Sequence, residues 1–216
     1  MTQILIASGN SHKHEELARL LRGAGLEGVE LLRPAELGLG TPPPDPVEDG
    51  STYLENAAIK ARAFSEWSGG LPALADDSGL EVDALDGAPG LRSARYAGEK
   101  VTFDQNIAKL LAALGDRPPE ERRGRFICAL VLVRGGDLLF ETEGTCGGIV
   151  LHAPTGGEGF GYDPIFRPDG ETRSFSEMSE LEKDARSHRG LAFRAFTEHL
   201  PGSPLVTAGS GGPPRP

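Results

Sequence analysis

Cysteine is scarce: the chain has two in 216 residues, Cys128 and Cys146, and they show no metal-ligand spacing. A disulfide-stapled scaffold and a cysteine-based zinc site are therefore excluded. Buried free thiols in a reducing cytosol are the expectation, with a single bridge between neighbouring strands left open. Basic residues are also outnumbered, 22 Lys and Arg against 32 Asp and Glu, for a net charge of −10. A protein that coats DNA or RNA carries a basic face, so no nucleic-acid polymer is expected as a partner. A small anionic ligand remains compatible with that charge, because a few local lysines and a bound cation override the overall field. No apolar run approaches the ~20 residues of a membrane helix. Met1-Thr2-Gln3-Ile4 leads at once into a strand-like segment, with neither the basic start nor the apolar stretch of a secretory signal. A cytoplasmic protein with no membrane contact is expected. There is no internal repeat.

Glycine and proline are plentiful, 30 and 17, so many tight loops are expected, and loops are where sites are commonly built. The length suits one domain over residues 1–200, in two lobes, followed by a Pro/Gly/Ser-rich tail over 201–216 that reads as disordered. Ile4–Ala7 reads as a buried strand, and a helix is predicted from Ser11 or His12 to Gly23, with Leu17, Leu20 and Leu21 as its apolar stripe and Glu15 and Glu16 at its positive end. Thr52-x-x-Glu55 and Thr102-x-x-Gln105 are capping boxes. The first opens a helix to about Ser68; the second opens one that buries Ile107, Leu110, Leu111 and Leu114. Leu71–Ala75 reads as a strand stopped by a turn at Ser78-Gly79. Residues 83–98 read as a long loop and 117–124 as a polar connection. Arg125–Arg134, Gly135-Gly136 and Asp137–Thr142 read as a hairpin, with a separate strand near Gly147–Leu151. Ser179-x-x-Glu182 and Ser187 are predicted to cap the last two helices, with Phe193, Phe196 and Leu200 facing inward. Strands and helices mix without clean βαβ alternation, so the fold class is α/β with a mixed sheet.

The chemistry is concentrated in a few segments. Asp76 and Asp77 close an apolar run, and alternation along a strand sends them to opposite sides. One carboxylate then faces a cleft, suited to a divalent cation or to a water that must lose a proton, while the other anchors its surroundings. Two aspartates capping a turn are the plainer alternative. Ser8–Lys13 has the logic of an anion cradle: a strand ends, Gly9 allows close approach, and a helix begins with free N–H groups. Asn10 adds a neutral donor and Lys13 a charge. It is not a Walker A loop, and an ordinary strand–turn–helix is the alternative. Asn56 and Lys60 share one helix face. Lys60 is either a solvated lysine or a partner of Lys13 on a polyphosphate, with Glu48 and Asp77 sharing Mg2+. Gly159-Phe160-Gly161-Tyr162-Asp163-Pro164 places aromatics on a glycine-hinged loop, as a stacking platform for a nucleobase or as a core plug. His188 and Arg189 sit at a helix start, where they meet the keto oxygens of a ligand or serve structurally. His12 and His14 are two apart and read as surface residues rather than metal ligands.

Taken in order, Ser8-Gly9-Asn10-Ser11-His12-Lys13, Asn56-Ala57-x-x-Lys60-Ala61, Ala75-Asp76-Asp77-Ser78-Gly79-Leu80, Asp86-Gly87-Ala88-Pro89-Gly90 with Ser93–Gly98, Gly159–Pro164 and Ser187-His188-Arg189-Gly190 resemble the Ham1/RdgB family of inosine/xanthosine triphosphate pyrophosphatases. The resemblance spans about residues 3–200. It implies an elongated mixed sheet flanked by helices, two lobes with a central cleft, an architecture shared with the Maf proteins, and a homodimer. It also implies Mg2+-dependent hydrolysis of ITP, dITP and XTP to the monophosphate and pyrophosphate, cleansing the nucleotide pool. By the same resemblance Ser8, Gly9, Asn10, Ser11, His12 and Lys13 hold the triphosphate, with Lys13 catalytic. Asp77 is the proton acceptor and a metal ligand, and Glu48 is a second metal candidate. Ser78, Phe160, Gly161, Tyr162, Asp163, Lys183, His188 and Arg189 contact the nucleotide. Two other functions compete with this one. A Maf-type pyrimidine or modified-nucleotide pyrophosphatase would open on a Ser-x-Ser-Pro-Arg-Arg type motif, which Ser8–Lys13 does not match. A non-catalytic nucleotide-binding module would need neither Asp77 nor a metal. A haloacid-dehalogenase phosphatase is excluded, because Ile4–Asn10 contains no carboxylate.

Overall fold

In the computed structural model the described residues are 1–26, 28–157, 160–202 and 205. Six strands, β1 (Thr2–Ile6), β2 (Val29–Leu32), β3 (Ala73–Val82), β4 (Arg123–Arg134), β5 (Asp137–Val150) and β6 (Phe166–Pro168), form one sheet in the order β2-β1-β3-β4-β5-β6. β1 pairs in parallel with β2 and β3, whereas β5 and β6 are antiparallel, so the sheet is mixed as expected. It is flanked by the helices α1 (Ser11–Gly23), α2 (Tyr53–Trp67), α3 (Phe103–Leu114), α4 (Glu180–Arg186) and α5 (His188–His199). The chain separates into two compact units. One comprises residues 1–77, 129–143 and 192–216, and the other comprises residues 78–128 and 144–191.

The first unit is built around β1, whose Ile4, Leu5 and Ile6 are buried together with Leu17 and Leu21 of α1 and Ala57, Ala61 and Phe64 of α2. α2 begins where the sequence predicts: the Thr52 hydroxyl accepts from the Glu55 N–H at 3.1 Å, and the Glu55 carboxylate returns the bond. Phe193 and Phe196 of α5 meet at 5.3 Å between ring centres, and Phe196 also meets Phe140. Pro201 and Gly202 close a short 3-10 turn with Leu200. Leu205 is buried, and its carbonyl accepts from the Thr2 hydroxyl at 3.1 Å. The rest of the segment expected to be disordered, residues 203, 204 and 206–216, lies outside the described residues, as does Gly159 of the aromatic loop.

The second unit packs Leu80, Val82, Ile107, Leu110, Leu114, Phe126, Tyr162, Ile165, Phe166 and Phe175 into one cluster. Arg122 is the unexpected buried residue of this unit. Predicted to lie in a polar connection, it is almost fully buried. Its guanidinium donates to the carbonyls of Val150 (2.8 Å), Gly115 (2.8 Å) and Leu151 (2.9 Å). A buried cation persists only when its donors are satisfied, and here the carbonyls at the ends of α3 and β5 supply the acceptors.

Other expectations need correction. Ser78-Gly79 does not stop a strand: β3 continues to Val82, because Leu80 and Val82 keep the alternation into the core. Residues 137–150 are one strand rather than two, and residues 83–98 are mostly short 3-10 turns at Asp83–Leu85 and Gly90–Arg95 rather than open loop. The first turn of α1 holds no acidic residue, since Glu15 and Glu16 fall one turn later. Both cysteines are free and buried. Burial, with Asp169 nearby, pushes the Cys146 thiol up to about 11.

Candidate functional site

In the first unit, Asn10 caps α1. Its Oδ1 accepts from the N–H groups of His12 (3.0 Å) and Lys13 (3.4 Å), while its own N–H donates to the Ser8 hydroxyl at 3.1 Å. Two of the N–H groups expected to be free for an anion are thus bonded within the turn, and Asn10 serves its helix as an acceptor. Gly9, Ser11 and His12 are exposed; Ser8, Asn10 and Lys13 are half-buried. His14, expected on the surface, is buried instead, because it follows Asn10 by four and precedes Leu17 by three on the inward face. Its Nδ1 accepts from Arg33 Nε at 3.0 Å, and burial together with that guanidinium holds its pKa below the ordinary value.

The two aspartates part as alternation requires. Asp76 is buried and forms an ion pair with Lys13 at 2.9 Å. Asp77 is half-buried, and its Oδ1 takes the Lys60 ammonium at 3.1 Å. The same ammonium reaches Glu48 Oε2 at 3.0 Å. Asn56 is buried and works as a clasp, its Nδ2 donating to Asp77 Oδ2 at 3.3 Å and its Oδ1 accepting from the Gly50 N–H at 2.9 Å. Glu48, Asn56, Lys60 and Asp77 therefore form one bonded group, and Lys13 with Asp76 forms a second on the same β3 strand.

Burial is the largest influence on Asp77 and raises its pKa; Lys60 opposes the rise and Glu48 adds to it, leaving the carboxyl above its ordinary range. Burial alone lowers the Lys60 pKa, but Asp77, Asp76 and Glu48 outweigh it, so the ammonium is held above its usual value. The opposite balances have one cause: the lysine faces three carboxylates, whereas Asp77 shares its lysine with a rival of like charge. Oxygen donors converging on one cation suit a hard divalent ion, which takes one or two carboxylates and completes its shell with phosphate and water oxygens. Among the described residues no three His, Cys, Asp or Glu side chains form a ready-made metal cage.

In the second unit Arg189 is buried and donates to the Ser78 hydroxyl at 3.2 Å. His188 is buried and stacks on Phe126, with ring centres 4.6 Å apart and planes 10° from parallel. Ser187 caps α5 by accepting from the Gly190 N–H at 3.0 Å. Only glycine fits at position 190, since a Cβ there would run into the Asp184 carbonyl oxygen. Gly190→Ala should cost about 1–3 kcal/mol, the range for overpacking a closed site, seen as a lower Tm; an unchanged Tm would show that the junction relaxes freely. Tyr162 turns out to be a core plug, its hydroxyl donating to the Ser93 carbonyl at 2.9 Å, whereas Phe160 stays half-buried. Asp163 is buried and accepts from Lys183 at 2.6 Å and from the Phe160 N–H at 3.2 Å. Asp76, as the anchor of Lys13, and Phe103, whose ring meets Phe160, were not singled out as site residues by the sequence. Alternation offered one of the two aspartates as an anchor without naming its partner; nothing local marks Phe103.

The Ham1 family model matches residues 4–199. A dITP/XTP pyrophosphatase of Corynebacterium efficiens is 48% identical over 202 residues, covering 90% of this chain and 95% of its own. One from Frankia alni is 48% identical over 198 residues, covering 89% and 94%. Among solved structures, a HAM1 protein from Coxiella burnetii superposes with a TM-score of 0.81 at 39% identity, covering 94% of this chain and 100% of that one. No helix among the described residues is long and apolar enough to cross a membrane.

Proposed function

Because the chain belongs to the Ham1 family, we infer that it hydrolyses the deaminated purine nucleoside triphosphates dITP, ITP and XTP to the monophosphate and pyrophosphate. The observation that carries this reading is the Glu48–Lys60–Asp77 group, two carboxylates and an ammonium within 3.1 Å contacts. It offers both a proton acceptor and oxygen donors for a cation, which a passive nucleotide-binding module has no need of.

In this mechanism water attacks the α-phosphorus and pyrophosphate leaves, so catalysis consists mainly in neutralising negative charge. Asp77 accepts the proton of the attacking water. Burial and the neighbouring Glu48 raise its pKa, which makes it a stronger base than an exposed aspartate. Asn56 and Lys60 fix the orientation of its carboxylate. Lys13, aimed by the buried Asp76, and Ser8–His12 take the phosphates. A divalent cation held by Asp77 and Glu48, for which Mg2+ is the choice, supplies further positive charge to the phosphate oxygens when bound. Ser78, Phe160, Gly161, Asp163, Lys183, His188 and Arg189 are assigned to the nucleoside, with Tyr162 anchoring their loop in the core. Phe160 stacks on the base, and Arg189 is a donor for a keto oxygen, so that an amino group at the same position finds no partner. The enzyme is further proposed to be a cytoplasmic homodimer.

A panel of nucleoside triphosphates with Mg2+, repeated with a chelator, tests the assignment. Pyrophosphate should appear from dITP, ITP and XTP at least ~100-fold faster than from ATP, the scale of discrimination that a keto-directed donor can reach, and should vanish with the chelator. Rapid orthophosphate release from ATP, with inosine nucleotides ignored, would overturn it.

A further inference from the structure

An aromatic ring on a glycine-hinged loop selects a base only if it is held at one angle. Phe160 is followed by Gly161 at φ +68°, in the left-handed region. The surrounding hydrogen bonds fix the backbone and the neighbouring residue. Asp163 holds the Phe160 N–H and is itself held by Lys183. Tyr162 is tied to Ser93, whose hydroxyl accepts from the Leu80 N–H at 2.9 Å and donates to the Gly90 carbonyl at 2.6 Å.

The Phe160 ring is met by Phe103, edge to face, with ring centres 5.1 Å apart and planes at 61°. The same ring of Phe103 meets Tyr162 at 6.3 Å and 82°. It also backs the hinge, lying 3.5 Å from where a Cβ on Gly161 would be. Phe103 is the first residue of α3, a firm mount. The Thr102–Gln105 capping box starts that helix, and Ile107, Leu110 and Leu114 bury its inner face. Asn106 bonds the Ala97 N–H at 2.7 Å and the Ala94 carbonyl at 3.0 Å.

We propose that Phe103 is a positioning residue for base recognition: its ring, carried on α3, sets the tilt of Phe160 and so the face offered to the purine. This rests on the reading that Phe160 stacks on the base. The test compares wild type with Phe103→Leu, Phe103→Met and Phe103→Tyr. The two aliphatic variants should raise KM for dITP about fivefold, the weight of one edge-to-face aromatic pair. They should leave kcat within about twofold and leave inhibition by inorganic tripolyphosphate, which has no base, unchanged. Phe103→Tyr should restore KM. The proposal is overturned if KM in both aliphatic variants stays near wild type, if dITP and tripolyphosphate weaken alike, or if both variants fail to fold. A wild-type protein inactive on dITP would sink the proposed function itself; an active one whose variants keep their KM would sink only the role of Phe103.

Discussion

Asp77→Asn is expected to cut pyrophosphate release from dITP by at least ~100-fold, the usual weight of a general base, while dITP still binds. Asparagine keeps the shape and one acceptor oxygen for Lys60 but cannot take a proton from water. The same substitution should not lower stability at neutral pH. Burial holds the Asp77 carboxyl above its ordinary range, so on raising the pH the unfolded chain gives up this proton first. The contribution of Asp77 to stability is therefore complete below the ordinary aspartate pKa and is lost as pH rises through the higher folded value. At pH 7 the ionised group works against folding, and asparagine removes that cost, but its amide nitrogen then faces the Asn56 Nδ2 that Asp77 Oδ2 had accepted from, and the two effects offset each other. Tm of the variant should stay near that of wild type at pH 7 and fall relative to it below about pH 4, the unfolded carboxylate range. Near-normal turnover would remove Asp77 from the mechanism, and a large fall in Tm would show that its ion pair with Lys60 outweighs its burial.

Lys60→Met should have the opposite signature, a loss of stability together with activity. The Lys60 side chain is only 13% exposed and serves Asp77, 15% exposed, and Glu48, 34% exposed, at once. Removing it leaves two carboxylates facing each other without a cation. Breaking a buried pair by deleting one partner costs about 3 kcal/mol or more, and about 3 kcal/mol corresponds to roughly 10 °C in Tm for a chain of this size. Millimolar Mg2+ should return part of that loss, and more in the variant than in wild type, since a cation bound by Glu48 and Asp77 substitutes for the missing ammonium. Thermal unfolding with and without Mg2+ measures both effects. A variant that melts with wild type in the absence of Mg2+ would show that Lys60 is merely a solvated helix lysine.

The capping boxes at Thr52, Thr102 and Ser179 and the inward faces of the helices they open were legible in the chain, because they depend on residues three and four apart. The strand alternation that separates Asp76 from Asp77 was legible for the same reason. The end of β3 was misread because Ser-Gly is a turn signal only when nothing beyond it is buried, and here Leu80 and Val82 are. Arg122 looked like a loop residue because its three acceptors, at 115, 150 and 151, are brought to it only by folding.

The order of short motifs thus determined which family of pyrophosphatases this chain resembles and, through that resemblance, which carboxylate is assigned the chemistry. Tertiary structure alone decided who partners whom: that Asp76 secures Lys13, that Lys60 bridges Glu48 and Asp77, and that Phe103 stands against Phe160. Those pairs lie 12 to 63 positions apart, and contacts at such separations follow from packing, on which neither helical nor strand periodicity bears.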